Sequence, residues 1–312
     1  MRREECTEKM NDPVKQHWVP RFYLKYFATP ETVNTPKPRV WIFHRHDGDP
    51  VLAGVNDICA QNHLYSPADI DGKHSFEMES RFAQAEALLS RIWPQLATGF
   101  VDLSSPSLRK GIALLTSIML VRTPAMLEQT KKIHDELVSF YETLPKDSLE
   151  NPRIGEIVFR GRAMSFGATS YNTYKSASGN ELQRIFVDHI KYSVGEIATV
   201  LLEKRWSVIV ADEPVFITTD NPVTYTNSDL AKGTFGLKTK HTVVLFTLSP
   251  TRLLTMDDMR NEPSCQYYPL AANNERFFNI LLWQNADRYM ISSRHPDIVC
   301  QEMITAADSI RE

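Results

Sequence analysis

Lys204-Arg205-Trp206-Ser207-Val208-Ile209-Val210-Ala211-Asp212-Glu213-Pro214-Val215-Phe216-Ile217-Thr218-Thr219-Asp220-Asn221-Pro222 is where the hydrophobic rhythm of the chain changes. Before Lys204 apolar residues recur at helical spacing. From Trp206 onward they come in short runs bounded by turn residues, the pattern of strands. Residues 206–210, 215–219, 242–248 and 252–256 therefore read as strands. A helix over 273–285, a strand over 289–292 and a terminal helix follow.

Upstream, Met78, Phe82, Ala85, Leu89, Ile92, Trp93 and Leu96 predict one apolar face of a helix over 75–97, with a kink or break at Pro94. Residues 107–121 are apolar on nearly all sides and read as a central buried helix that Pro124 bends or restarts. Further helices are expected over 125–144, 155–165 and 180–203, with a Tyr-, Ser- and Gly-containing loop over 169–179. Nearer the N-terminus, 29–38 reads as a proline-containing loop, 40–43 as a strand, 44–49 as a polar turn, and 55–60 with 64–65 as short extended pieces. Helices early and strands late give an α+β class: a predominantly helical first two thirds packed on a mostly antiparallel sheet formed largely by the last third. The chain reads as a single domain, 1–312, with 145–152 as the place where it would subdivide.

At 312 residues, 42% hydrophobic and 23% charged, the chain has the composition of an ordinary globular protein with ample core. The charged start, Met1 to Met10, argues against a signal peptide. The longest apolar run, 112–121, is too short for a bilayer. Cys6, Cys59, Cys265 and Cys300 form no C-x-x-C pair, so reduced thiols, a cytoplasmic location and no membrane association are expected. The net charge of −3 gives no global attraction for nucleic acid. Two local basic segments stand out: Arg153, Arg160 and Arg162, and Lys232, Lys238, Lys240 and His241. Each also reads as a solvated face. His44 and His46, next to Asp47-Gly48-Asp49, have metal-ligand character but look like a hairpin tip. No phosphate-binding loop, dinucleotide fingerprint, H-E-x-x-H or G-x-S-x-G motif is present.

The segment from His17 to Phe27 crowds a histidine, two cations and five rings into eleven residues. Pro20 biases Val19 toward extended geometry, and a short helix over 21–27 would pair Phe22 with Tyr26 and Tyr23 with Phe27. The rings serve either to anchor the chain to the core or to stack on a ligand. Glu79 and Glu86 share one flank of the long helix, where carboxylates act as acid or base or are simply solvated. Asn56-Asp57 and Asp220-Asn221 are acid–amide pairs at strand ends, readable as pocket residues or as turns. Arg122 ends the buried helix and, if buried itself, needs an anionic partner.

His17-x-x-Pro20-x-x-Tyr23-Leu24-x-x-Phe27, Asn56-Asp57-Ile58 with Tyr65, Glu79, Glu86, Arg122-Thr123-Pro124, Thr219-Asp220-Asn221-Pro222 and Leu248-Ser249-Pro250 occur in this order. Together they resemble the bacterial family catalogued as domain of unknown function 4238, over nearly the whole chain. Thr247 stands where that family tends to carry proline. Some relatives look like antiviral DNA glycosylases acting on hypermodified cytosine in phage DNA. The resemblance thus implies a hydrolase that excises a modified, glucosylated hydroxymethyl, cytosine to leave abasic sites in anti-phage defence. Its partner would be double-stranded DNA carrying modified bases, with no obligatory protein partner and no cofactor. That chemistry passes through an oxocarbenium-like state and needs a carboxylate and a donor to the departing base. Asp57, Glu79 and Asp220 are the carboxylate candidates, and His17, Asn56 and Asn221 the donors. Trp18 or Tyr23 would stack on a flipped base, and Arg21 and Arg122 would contact phosphate. A Mg²⁺-dependent nuclease and a non-enzymatic ligand-sensing module remain as alternatives.

Overall fold

The computed structural model describes residues 14–46, 48–144, 157–159, 162–164, 168–227 and 236–311. Its architecture is α+β. A five-stranded sheet has the order β12-β7-β11-β10-β9, built from β7 (Arg205–Val210), β9 (Val223–Asn227), β10 (Thr242–Ser249), β11 (Arg252–Asp257) and β12 (Gln266–Pro269). All its pairings are antiparallel except β12 with β7. A four-stranded antiparallel sheet, β3-β2-β13-β8, joins the two ends of the chain. It pairs the hairpin β2 (Arg39–His44) and β3 (Pro50–Gly54) with β13 (Tyr289–Ser292) and β8 (Thr218–Thr219).

The five-stranded sheet is covered on both faces, which is why β10 and β11 read as nearly continuous apolar runs. Trp206, Val208, Val244, Phe246, Leu254 and Met256 join the main core, together with α2 (Glu77–Thr98), α3 (Pro106–Val121) and α6 (Gly179–Glu203). Leu245 and Leu253 point the other way, into a second core with Leu282 of α7 (Asn274–Gln284) and Val299 and Met303 of α8 (Pro296–Arg311). From Ile112 onward helix α3 is buried on most sides, with Leu114 left exposed. It stops at Arg122, and Thr123 caps α4 (Pro124–Glu142) by accepting a bond from the Met126 N–H at 3.3 Å. The joint between these two helices is therefore fixed by local chemistry, and it sets Arg122 in place.

Two expectations are corrected, those over 155–165 and 169–179, and two are sharpened. Helix α2 runs through Pro94 without a break; Trp93, Leu96 and Ala97 around it are fully buried, and their packing holds the last turn helical despite the lost backbone bond. Where a helix was expected over 155–165, the described residues form a hairpin of β5 (Ile157–Phe159) and β6 (Arg162–Met164). The expected loop over 169–179 contains α5 (Ala168–Lys175), anchored by Tyr171, whose ring lies 4.9 Å from that of Tyr141. The helix expected over 21–27 is α1 (Arg21–Leu24) followed by a tighter 3₁₀ turn, Lys25–Phe27. The linker expected over 145–152, Arg153, Arg160, Lys232, Cys6 and Asp47 lie outside the described residues.

Candidate functional site

The N-terminal segment enters as a strand, β1 (Lys15–His17), antiparallel to β4 (Ala60–Asn62), with His17 opposite Ala60. Pro20 then turns the chain into α1. This geometry sorts the crowded residues: Trp18, Val19, Tyr23, Leu24 and Phe27 are buried, while His17 is half-buried and Arg21 exposed. Within the core Tyr23 stacks on Phe246 at a centroid distance of 5.6 Å, lies tilted against Phe27 at 5.2 Å and meets Trp93 edge-on at 5.8 Å, and its hydroxyl meets Thr218 Oγ1 at 2.6 Å. Trp18 is likewise buried, its indole N–H donating to the Asp220 carbonyl at 2.8 Å. Neither ring has a free face for a base, so the stacking expectation for both is corrected to core anchoring. Phe22 meets Trp93 edge-on at 5.5 Å.

His17 Nε2 lies 3.3 Å from the Asn56 carbonyl oxygen. A carbonyl only accepts, so the geometry assigns the proton to Nε2 and leaves Nδ1 as an acceptor. Burial first, then the nearby Arg21, brings the imidazole down to about 4, with Lys15 and Arg122 adding to the effect. The ring is neutral at neutral pH, and with Nε2–H committed to Asn56 the free Nδ1 of His17 accepts a hydrogen bond, as from water, and does not donate to a base as expected from sequence. Arg21 Nη1 reaches Asn56 Oδ1 at 3.4 Å, so His17, Arg21 and Asn56 form one polar rim.

Behind this rim lies a charged cluster. Arg122 is buried at the α3–α4 joint, its side chain 1% exposed. Its Nε donates to the Trp18 carbonyl at 2.7 Å and its Nη1 to Glu86 Oε1 at 2.7 Å. Its guanidinium lies 5.0 Å from the Phe82 ring. Its Nη2 is buried without a hydrogen-bond partner. Tyr65 donates its hydroxyl to the Arg122 carbonyl at 2.6 Å, which pins the joint from the other side. Glu79, two turns before Glu86 on α2, is half-buried in the same cluster. Burial pushes the Glu79 carboxyl up to about 7; Arg122 and Arg21 pull it down, while Glu86 pushes it further up. Two carboxylates on one flank are thereby differentiated, one held in an ion pair and one that takes up and releases a proton near neutral pH.

The other two carboxylate candidates lie elsewhere. Asp57 is exposed, 76% at its side chain, and pairs with Lys15 at 3.5 Å. Asp220 is 1% exposed and accepts the backbone N–H groups of Asp287 at 3.0 Å and Arg288 at 2.9 Å, with Tyr289 at 3.5 Å. Burial and the Asp287 carboxylate raise it to about 6 against the pull of those bonds. Its place is that of a staple holding the turn before β13, and it has no exposed oxygen for a substrate. Asn221 bonds the Asn285 carbonyl at 3.2 Å through its side chain and receives Thr219 Oγ1 on its own carbonyl at 2.7 Å. The Thr219–Pro222 motif thus ties the sheets to the end of α7.

The turn before β13 carries one cation and binds another that sequence reasoning missed. Arg288 is exposed and stands 5.6 Å over the Trp18 ring, and Arg45 bonds the Ala286 carbonyl. Their only sequence signal was charge near an apolar strand end. Lys238, Lys240 and His241 instead line a groove of mixed charge, shared with Lys204 and Arg260 and with Glu203, Asp257, Asp258 and Glu262. Among the described residues, no group of three or more His, Cys, Asp or Glu side chains is arranged to hold a metal ion.

A family model described as "Protein of unknown function (DUF4238)" matches residues 15–296. Comparison with curated proteins and with solved structures gave no match.

Proposed function

From the premise that the chain belongs to the DUF4238 family of proteins of unknown function, we propose that it is a hydrolase of N-glycosidic bonds acting on a modified cytosine in DNA, with Glu79 as its acid–base residue. The observation that carries the reading is the Glu79 carboxyl, poised near neutrality by burial in the field of the Glu86–Arg122 ion pair and of Arg21. A proton donor of this kind is most effective near the working pH. In the reaction the bond from the sugar C1′ to the base nitrogen breaks with its electron pair going to the base, and Glu79 supplies the proton that the base needs to leave. Water adds its oxygen to C1′ and its displaced proton returns to Glu79 Oε. His17 Nδ1 orients that water, and Arg21, Asn56 and Arg288 offer donors to phosphate or sugar around the rim.

The substrate half of the reading draws on the motif resemblance, and the local cations offset the net negative charge of the chain. Release of free base and alkali-labile sites from DNA containing glucosylated hydroxymethylcytosine, with release persisting in EDTA, is the expected result. Strand cutting that EDTA abolishes would move the reading to a metal-dependent nuclease, and stoichiometric binding without base release to a ligand-sensing module.

A further inference from the structure

The loop over 66–76 runs between the strand that carries His17 and the helix that carries Glu79. At its start Gln16, the neighbour of His17, donates through Nε2 to Ser66 Oγ at 2.6 Å and accepts the Tyr65 N–H at 2.7 Å. At its end the chain enters α2 at Glu77, two residues before Glu79. Between these anchors the loop is braced. Ala68 and His74 form an antiparallel bridge, Arg184 of α6 donates to the Ala68 carbonyl, and the His74 ring stacks on that of His63 at 3.8 Å. Asp69 Oδ1 accepts the N–H groups of Asp71 at 2.9 Å and Lys73 at 2.8 Å, and Gly72 supplies a left-handed residue at φ 77°. The turn presents Ile70 at its tip, 97% exposed. A stiff β-branched residue is unusual there, because small and polar residues dominate turns. Two residues of chain carry it up to about 7 Å beyond the bridge, the height of about two base-pair steps. Ile70 and Lys73 line one cavity of about 710 Å³ with Tyr65 and Met78. Met78 precedes Glu79 and Tyr65 holds the Arg122 joint, so the tip and the walls of the charged cluster face one concavity. Its acids are committed: Asp69 to the turn, Glu77 to Arg81 at 2.8 Å and Asp188 to Lys191 at 3.2 Å.

We propose that Ile70 is a wedge for duplex DNA: the tip of the loop enters the base stack, and Ile70 fills the place of the cytosine that turns out toward Glu79. The wedge rests on the reading of the chain as a glycosidase and makes the duplex, not the single strand, its substrate form. A base inside the stack cannot bring its glycosidic bond to a carboxylate, so it must be extruded first. An apolar side chain inserted at the step replaces the stacking contacts that extrusion removes. Because Asp69, Gly72 and the bridge already fix the turn, little ordering is left to be done on binding. Lys73, exposed beside the tip, is placed for the phosphate flanking the opened step.

The test compares the parent, Ile70→Ala and Ile70→Leu on duplex and single-stranded oligonucleotides of one sequence containing glucosylated hydroxymethylcytosine. The first readout is the ratio of kcat/KM on duplex to kcat/KM on single strand. Ile70→Ala should lower that ratio about tenfold or more, and Ile70→Leu, which keeps an apolar side chain of the same size, should restore it to within about threefold. The second readout needs no chemistry: 2-aminopurine placed next to the modified cytosine in the duplex should brighten when saturated with parent or Ile70→Leu, and stay dim with Ile70→Ala. The side chain is exposed, so urea unfolding of Ile70→Ala should match that of the parent. An unchanged ratio in Ile70→Ala overturns the proposal, as does equal brightening by parent and Ile70→Ala or none by the parent. Brightening by the parent that Ile70→Ala lacks, with no base released from either DNA, would sustain the wedge and count against the glycosidase reading alone.

Discussion

Replacing Glu79 with glutamine should make the protein more stable at alkaline pH relative to acid pH. In the folded chain the Glu79 carboxyl holds its proton up to about 7, against 4.5 for its ordinary value. Between those values the folded state binds more proton than the unfolded one, so Glu79 contributes stability that is full below 4.5 and is lost as pH rises through 7. Taken whole, a shift of this size corresponds to about 3 kcal/mol. The half-buried position of Glu79 admits solvent screening, which brings the expected effect to about 1–2 kcal/mol. The stability difference between Glu79→Gln and the parent should therefore move by about 1–2 kcal/mol in favour of the variant between pH 4.5 and pH 8.5. Urea unfolding at both pH values, analysed at equal slope, measures it. Comparing two pH values cancels the packing difference between the side chains. A difference constant across pH, or one moving toward the parent, would refute the reasoning.

Three further outcomes follow from the same geometry. Asp220→Ala should destabilise the fold by about 1–3 kcal/mol in urea unfolding, because it removes the acceptor of the part-buried N–H groups of Asp287 and Arg288 in the turn before β13; a change below about 0.5 kcal/mol would contradict the staple role. Tyr65→Phe should cost about 1–2 kcal/mol by removing the bond to the Arg122 carbonyl, and urea unfolding indistinguishable from the parent would show that the joint does not depend on it. Asp57→Ala should leave base release within about twofold of the parent, since an exposed ion pair with Lys15 is worth little; a hundredfold loss in a base-release assay would return Asp57 to the catalytic set.

Much of the architecture was legible because period and burial agree. The strands at 205–210, 242–249, 252–257 and 289–292 and the helices at 106–121 and 179–203 are long or strongly apolar, so local pattern and tertiary packing point the same way. The strands Lys15–His17 and Ala60–Asn62 are three residues each, too short to carry a period. Helix α5 is rich in Thr, Ser and Tyr, weak helix formers, and depends on Tyr171 packing against α4. At the site, His17, Arg21, Asn56 and Glu79 were readable as candidates because each follows a backbone constraint or sits on a helix flank. Whether a ring or a carboxylate faces inward was not. Trp18 and Tyr23 lie on either side of the extended N-cap Pro20 and both enter the core, and Asp220 is consumed by a turn 67 residues away. Contacts of that sequence separation leave no local trace.

The central claim is that Glu79 carries a proton to a departing base. It is tested most directly by measuring free base released from double-stranded DNA containing glucosylated hydroxymethylcytosine, by the parent and by Glu79→Gln, from pH 5 to pH 9. Release by the parent should fall as pH rises through about 7, where Glu79 loses its proton, and the variant should lose about a hundredfold or more. A Glu79→Gln protein that releases base at the parent rate, with the same pH profile, would contradict it.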